Sequence, residues 1–381
     1  MDFDFTSEQL ELKINTIKFA QKELNENVIL RDREGSFSKD LWQKCADFGI
    51  LGFPFPKEYG GADCDILTTL LIMEGLGCGC KDSGLIFSIN GQMWTVQMPI
   101  FHFGTPEQKT KYLSKLCSGE WIGANGMTEP GSGSDSFALS TTAKLKGDYY
   151  LLNGAKTFIT NAPTADLFII FATTDKSKGF MGITAFLVEK GFPGLKVSKE
   201  IEKMGLKTSP MAEVILEDCK VPVENRLSKE GNGAAIFNDG IEWERSCMLA
   251  SDIGVMERQL KECVKYAKER RQFNKPIGKF QAIANKIVDM KVRLETARLI
   301  LYKVAWLKKT QNRAGMEAAL AKLYLSESLV KSCLDAIQIH GGYGYTTEYE
   351  LERDLRDSVA STLYSGTSEI QKNIIAEYLG L

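Results

Sequence analysis

The spacing of apolar and polar residues changes twice along the chain. From residue 1 to about 120 the apolar residues recur at helical intervals, and Thr6 and Gln9 form a capping box ahead of the first such segment. Thr105 and Pro106 provide the N-cap and first-turn proline that open another helix. The pattern predicts an N-terminal helical domain over residues 1–120.

From about 121 to 225 the pattern becomes one of short apolar runs separated by turn residues. The runs that predict strands are 141–145, 149–152, 157–160, 167–173, 183–188 and 212–216. Lys146-Gly147-Asp148 and Asn153-Gly154 predict the turns between the first three runs, the second as a β-hairpin. We therefore expect a middle antiparallel β domain over residues 121–225.

From about 226 onwards long helical periods return, over 234–269, 281–309 and 316–339. Gly341-Gly342 ends the last of these, and Ser368 with Gln371 predicts a capping box for a final helix. This part predicts a C-terminal helical domain over residues 226–381. The order helical, β, helical gives an α+β fold class.

Composition and charge restrict the classes of partner and site that this chain could have. A chain of 381 residues is long for one core, and its 44% hydrophobic and 25% charged residues are typical of a soluble globular protein. A net charge of −2 and no long uncharged stretch argue against nucleic-acid and membrane partners. Nine scattered cysteines and no signal peptide predict free thiols in the cytoplasm. With only His102 and His340 present, we expect no metal site.

The segment Met127–Asp135 (MTEPGSGSD) is the most informative stretch. It combines three hydroxyls, two carboxylates, two glycines and a proline, so it can be neither a helix nor a central strand. It offers backbone N–H groups and hydroxyls to a polar ligand. On composition alone, a surface turn between two domains is the alternative.

Four further segments carry candidate binding residues. Residues 153–161 (NGAKTFITN) form a strand with alternating faces, and residues 338–345 (QIHGGYGY) form a glycine turn after a helix. Residues 270–281 (RRQFNKPIGKFQ) are either a basic helix end or a phosphate clamp, since guanidinium binds phosphate bidentately. Residues 366–368 (GTS) precede a helix whose N-terminal N–H groups could bind an anion.

Together these segments resemble the flavin signatures of the acyl-CoA dehydrogenase family, and the resemblance covers nearly the whole chain. It implies an N-terminal helical domain, a middle antiparallel β domain and a C-terminal four-helix bundle, with FAD as cofactor. It also implies a homotetramer, because in the family the segments at 270–281 and 338–345 usually complete the FAD site of a neighbouring subunit. The residues that it assigns to FAD are Met127, Thr128, Ser134, Phe158, Thr160, Arg270, Phe273, Gln281, Gln338, Gly341, Gly342 and Thr367.

Two of these segments depart from the family pattern. The family commonly has tryptophan where this chain has Phe158. Many members place the catalytic carboxylate in a Tyr-Glu-Gly-Thr run, which here reads Tyr364-Ser365-Gly366-Thr367. Serine is no base at neutral pH without a partner. Either the protein is inactive or its base lies elsewhere.

Glu244 is the alternative base. Phe237, Ile241, Glu244 and Met248 are spaced by 4, 3 and 4 residues, which places a carboxylate on an apolar helical stripe. Desolvation there would raise the pKa of Glu244, as a general base for a weak carbon acid requires. A position at the edge of the stripe, paired with an arginine, is the other interpretation. Glu244-Arg245 resembles the isovaleryl-CoA and long-chain branches of the family, which implies that Glu244 is catalytic.

Residues 87–94 (FSINGQMW) and 242–246 (EWERS) look most like the prolyl-carrier-protein dehydrogenases of secondary metabolism. This implies oxidation of a prolyl thioester on the phosphopantetheine arm of an acyl or peptidyl carrier protein. Ser134, Arg245, Trp94 and Tyr364 are the implied substrate contacts, although core packing explains Trp94 equally well. The electron acceptor would be oxygen or an electron-transfer flavoprotein.

Two other functions stay open at this point. One is a short branched-chain acyl-CoA dehydrogenase, which would act on an acyl-CoA with the same Glu244. The other, from a different class, is a non-catalytic flavin-binding family member, which Ser365 favours and Glu244 opposes.

Overall fold

The computed structural model describes residues 4–311 and 314–381. Its N-terminal part is helical, and the capping boxes predicted at Thr6 and Thr105 are both present. A π-helical turn, Met93–Gln97, joins α5 to α6. The helices are α1 (Ser7–Glu23), α2 (Val28–Glu34), α3 (Lys39–Asp47), α4 (Ile66–Gly79), α5 (Ser83–Gln92), α6 (Met98–Phe103) and α7 (Pro106–Cys117).

A twisted sheet follows the helices. Its strands are β1 (Gly123–Gly126), β2 (Thr142–Lys146), β3 (Tyr149–Thr160), β4 (Leu167–Thr173), β5 (Ile183–Glu189), β6 (Leu195–Val197), β7 (Met211–Pro222) and β8 (Arg226–Leu227). The order is β6-β7-β3-β2-β4-β5-β8, and β1 pairs with β4. The expected antiparallel pairing dominates, but β1 runs parallel to β4. The sequence pattern missed β1, β6 and β8, which are only four, three and two residues long.

The predicted β-hairpin at Asn153-Gly154 is wrong. Residues 149–160 form one strand that pairs with β7, and the register shifts between Leu152 and Gly154. A Cβ at Gly154 would lie 2.4 Å from the Thr141 hydroxyl oxygen, so the glycine permits a close approach between strands. The Asn-Gly pair therefore marks a bulge within a strand, another position at which glycine is favoured.

Helices return after the sheet. They are α8 (Gly233–Cys247), α9 (Ala250–Glu269), α10 (Gln281–Gln311), α11 (Gly315–His340), α12 (Leu351–Val359) and α13 (Ser368–Tyr378). The single helix predicted over 234–269 is divided between α8 and α9. Between α9 and α10 lies a two-stranded ribbon of β9 (Arg271–Gln272) and β10 (Lys275–Pro276). Thr367, not Ser368, caps α13, because its hydroxyl accepts a hydrogen bond from the Ile370 N–H.

The N-terminal and C-terminal helices share one core, in which α4 packs closely on α9. A Cβ at Gly254 would lie 2.1 Å from the Glu74 carbonyl oxygen, so these backbones meet because a side chain is absent. The buried Glu74 carboxylate accepts hydrogen bonds from Lys13 at 2.8 Å and from Arg298 at 2.6 Å. These contacts fix the start of α9, beside which the candidate site lies.

All nine cysteines are free thiols. Within residues 4–311 and 314–381, no helix is both long and apolar enough to cross a lipid bilayer.

Candidate functional site

The two positions proposed for the catalytic carboxylate meet in one site. Arg245 on α8 donates a hydrogen bond from Nε to the backbone carbonyl of Ser365, with an N···O distance of 2.9 Å. A Cβ at Gly366 would lie 3.3 Å from Nη2 of the same arginine. The segment 364–367 is therefore held against α8 beside Glu244. Arg245 thus contacts the Ser365 backbone, and its charge also lowers the pKa of Glu244.

Burial raises the pKa of Glu244, and the nearby Ser365 hydroxyl, Arg245 and Lys322 oppose that rise. The Ser365 hydroxyl oxygen is buried, and it lies close enough to the Glu244 carboxyl to lower the pKa of that carboxyl. Ser365 also has a φ of 56°, which is uncommon outside glycine. A buried carboxyl with a raised pKa has the basicity that proton abstraction from a carbon acid requires.

Sequence reasoning missed two ionisable residues near this site. Lys322 on α11 is fully buried, and its Nζ has no hydrogen-bond partner in the described part of the chain. Burial, together with Arg245, lowers the pKa of Lys322 to about 8. Asp252 on α9 accepts a hydrogen bond from the Tyr364 hydroxyl at 3.5 Å, and burial raises its pKa to about 7. Each is a single charged residue within a mostly apolar helical segment, which is the sequence signal that could have identified it.

Glu129 fixes the loop 127–135 from inside. Its buried carboxylate accepts hydrogen bonds from Lys156 Nζ at 2.7 Å and from the Ser140 N–H at 2.7 Å. Burial alone would raise the pKa of Glu129, but Lys156 and these hydrogen bonds lower it to about 2. The Thr157 N–H also donates to the Thr128 carbonyl at 2.9 Å. One of the loop's two carboxylates is thus a structural anchor that ties the loop to β3.

The outer side of this loop and strand fits a planar ligand. Phe158 on β3 is 61% exposed and has a φ of 57°, which is rare for a bulky aromatic residue, and strained residues of this kind cluster at ligand sites. Ser134 is exposed, and Gly131 leaves open space above the loop. The Met127 side chain is buried, so only its backbone could reach such a ligand. An exposed aromatic ring beside a loop with free hydroxyls matches the flavin ring expected from the sequence.

A chain of contacts links this surface to Glu244. Thr160, at the end of β3, packs against Gly91 of α5, where a Cβ would lie 3.8 Å from its methyl group. Trp94 is buried, donates a hydrogen bond to the Asn90 side chain at 2.8 Å, and stacks on Trp243 with ring centroids 6.4 Å apart. Trp243 directly precedes Glu244. Trp94 is therefore a core residue, and any effect of it on a substrate would pass through Trp243.

Most of the other predicted cofactor residues lie in a separate cleft, away from the Glu244 site. Arg270, Phe273, Gly341 and Gly342 line a cleft of about 580 Å³, and Phe273 is 88% exposed. Gln281 and Gln338 are exposed near the same ends of α10 and α11. This cleft is at the far end of α9, whose 20 residues span about 30 Å. Within one chain the cleft and the Glu244 site are therefore apart, while Thr367 lies near Glu244 as the N-cap of α13.

Three family models match the chain. They are the acyl-CoA dehydrogenase N-terminal domain over residues 6–120, middle domain over 124–219 and C-terminal domain over 231–380. A short-chain specific acyl-CoA dehydrogenase from Clostridium acetobutylicum is 41% identical over 376 residues, which are 99% of this chain and 99% of that protein.

Two solved structures are also similar. The crystal structure of the prolyl acyl carrier protein oxidase AnaB has a TM-score of 0.98 and 53% identity, covering 99% of this chain and 100% of that one. The structure of PigA with FAD and proline has a TM-score of 0.98 and 41% identity, with 100% of both chains covered.

Proposed function

Because this chain belongs to the acyl-CoA dehydrogenase family, we propose that it oxidises an L-prolyl thioester carried on the phosphopantetheine arm of an acyl or peptidyl carrier protein. The family membership makes the protein an FAD-dependent acyl-thioester dehydrogenase. The prolyl group as the substrate's acyl part is our proposal. The supporting observation is the similarity to a prolyl acyl carrier protein oxidase, 53% identical, against 41% for a short-chain acyl-CoA dehydrogenase.

FAD, when bound, supplies the hydride acceptor. Glu244 takes the proton from the substrate's α-carbon, and burial favours this because a desolvated carboxylate is a stronger base. Arg245 positions the segment 364–367 beside that carboxylate, and Ser365 leaves room for the substrate where other members have glutamate. Ser134, Tyr364 and Arg245 are the proposed substrate contacts, with Trp94 acting through Trp243.

The cofactor would be held by two groups of residues. The flavin half would be held by Met127, Thr128, Ser134, Phe158, Thr160 and Thr367. The remaining half would be held by Arg270, Phe273, Gln281, Gln338, Gly341 and Gly342 of a neighbouring chain, since the length of α9, about 30 Å, lies between their cleft and the Glu244 site within one chain. We therefore also propose a homotetramer. Oxygen or an electron-transfer flavoprotein would accept the electrons.

Anaerobic mixing tests the substrate directly. The purified enzyme with FAD is mixed with prolyl-loaded carrier protein or with isovaleryl-CoA, and the flavin absorbance is followed. We expect rapid bleaching with the prolyl carrier and little with isovaleryl-CoA. Bleaching by isovaleryl-CoA alone would replace the proposal with a branched short-chain acyl-CoA dehydrogenase. The Glu244→Gln variant is the control, because it should stay oxidised with either compound.

A further inference from the structure

A small cavity lies directly behind Tyr364. Its volume is about 30 Å³, enough for one water molecule, and its lining includes Phe87, Asn90, Ser251, Asp252 and Tyr364. Tyr364 directly precedes Ser365, which lies beside Glu244. A substrate whose α-carbon is at Glu244 therefore meets Tyr364 before it could reach the cavity.

Two aromatic rings in mutual contact form part of the cavity wall. Phe87 on α5 and Tyr364 have ring centroids 4.9 Å apart and planes inclined by 45°. Both rings line the cavity. An acyl chain that continued past the reacting carbons would have to displace one of them, and close-packed aromatic rings resist such displacement.

The cavity itself is unfavourable to an apolar chain. The Tyr364 hydroxyl is the only side-chain donor to Asp252 among the described residues. The Ser251 hydroxyl donates to the Met248 carbonyl at 2.9 Å, and the Asn90 amide donates to the Ile86 carbonyl at 3.0 Å. A hydrocarbon placed here would exclude water from Asp252 without offering a hydrogen bond in return, which is costly for a buried polar group.

We propose that Phe87 and Tyr364 form an end wall that limits the acyl group to about the size of a proline ring, with Asp252 as the positioning residue that holds Tyr364. This inference rests on the proposed function, whose substrate is small and polar. It names the residues that exclude longer acyl chains.

The test is a chain-length series. Prolyl, butyryl, hexanoyl and octanoyl groups are presented as pantetheine thioesters to the enzyme with FAD, and anaerobic flavin bleaching gives kcat/KM for each. We expect the native enzyme to discriminate strongly against hexanoyl and octanoyl groups. Phe87→Ala should raise kcat/KM for the hexanoyl and octanoyl groups, by roughly 10- to 200-fold for each further methylene that the enlarged pocket accepts.

Calorimetry provides a second measurement that needs no turnover. Thioether analogues, in which a methylene replaces the carbonyl, should bind more tightly with increasing chain length to Phe87→Ala but not to the native enzyme. Phe87→Leu, a milder change, is measured in the same way if Phe87→Ala fails to fold. Phe19→Ala is the matched control, since Phe19 stacks on Phe48 at 4.1 Å in another part of the core and should leave the series unchanged.

Asp252 is tested by two substitutions. Asp252→Asn keeps the hydrogen bond to Tyr364 and should preserve the length limit. Asp252→Leu removes both the charge and the hydrogen bond to Tyr364, and should relax the limit, so that kcat/KM for the octanoyl group increases relative to that for the butyryl group.

Two results would contradict the proposal that Phe87 and Tyr364 form an end wall. One is a native enzyme that oxidises octanoyl and butyryl groups equally well. Another is a chain-length series that neither Phe87 variant changes. If butyryl groups react and prolyl groups do not, while Phe87→Ala still extends the series, the prolyl proposal fails and the end wall stands.

Discussion

Glu244 is the residue on which the proposed activity depends. Replacing it by glutamine keeps its size but removes the base, so flavin reduction by substrate should slow by about 10²–10⁴-fold. Stopped-flow absorbance under anaerobic conditions measures the rate, and the flavin spectrum of the variant should show that FAD stays bound. Ser365→Ala is the control and should change the rate far less. An inactive Ser365→Ala beside an active Glu244→Gln would contradict the assignment.

Lys322 should contribute to the pH at which Glu244 works, in addition to burial, the Ser365 hydroxyl and Arg245. Glu244 is active when deprotonated, so activity should rise as pH increases through its raised pKa. The Lys322 ammonium lowers that pKa, and it is charged below about pH 8. In Lys322→Met the pKa of Glu244 should therefore increase, which moves the rising limb of the kcat/KM profile to higher pH by on the order of one unit.

Lys322→Arg restores the charge and should restore the profile. A Lys322→Met profile that superimposes on the native one, in a folded enzyme, would show that Lys322 does not influence the base.

Among the elements, the flavin loop and β3 depend on one buried ion pair. Lys156 and Glu129 are both fully buried, 2.7 Å apart. Lys156→Met would leave Glu129 charged and unpaired, so the free energy of unfolding should fall by about 3–5 kcal/mol. Chemical denaturation measures this change, and FAD binding should weaken because the loop 127–135 loses its anchor.

Lys144→Met is the matched control, because Lys144 is exposed on the neighbouring strand β2. If the two lysine variants were equally stable, the pair would have no structural role. Pairing Lys156→Met with Glu129→Gln should recover part of the lost stability.

At the scale of the whole molecule, α10 carries an unpartnered apolar face. Val288, Val292 and Leu299 are each more than half exposed and are spaced by four and seven residues, so they lie on one side of the helix. An apolar stripe of this kind is typical of a subunit contact. It supports the proposed homotetramer, in which a neighbour completes each FAD site.

The double variant Val288→Asp/Leu299→Asp should therefore form less tetramer and should also bind less FAD. Light scattering gives the oligomeric state, and the ratio of flavin to protein absorbance gives the occupancy. Leu145→Asp, at an exposed apolar position on β2, is the control. A monomeric variant that retains all its FAD would refute the shared site.

The sequence alone was sufficient wherever the deciding information is local. The capping boxes at Thr6 and Thr105 and the helix end at Gly341 depend on residues within a few positions of one another, and the composition of residues 127–135 by itself excludes a helix or a central strand there. The order of helical and strand periods predicted the α+β fold, and the family that the signatures resemble is confirmed. The domain limits at 120 and 225 and the roles of the site residues stay predictions.

The tertiary structure decided the rest, because the deciding contacts join residues far apart in the chain. Asn153-Gly154 suits a turn or a bulge equally well, and only the pairing of β3 with β7 selects the bulge. Arg245 and Ser365 are 120 residues apart, so their hydrogen bond, which brings both candidate base positions together, leaves no trace in local periodicity. The pairing of Glu129 with Lys156 and the contact of Phe87 with Tyr364 likewise arise only when separate elements pack, since burial and charge compensation depend on the surrounding fold.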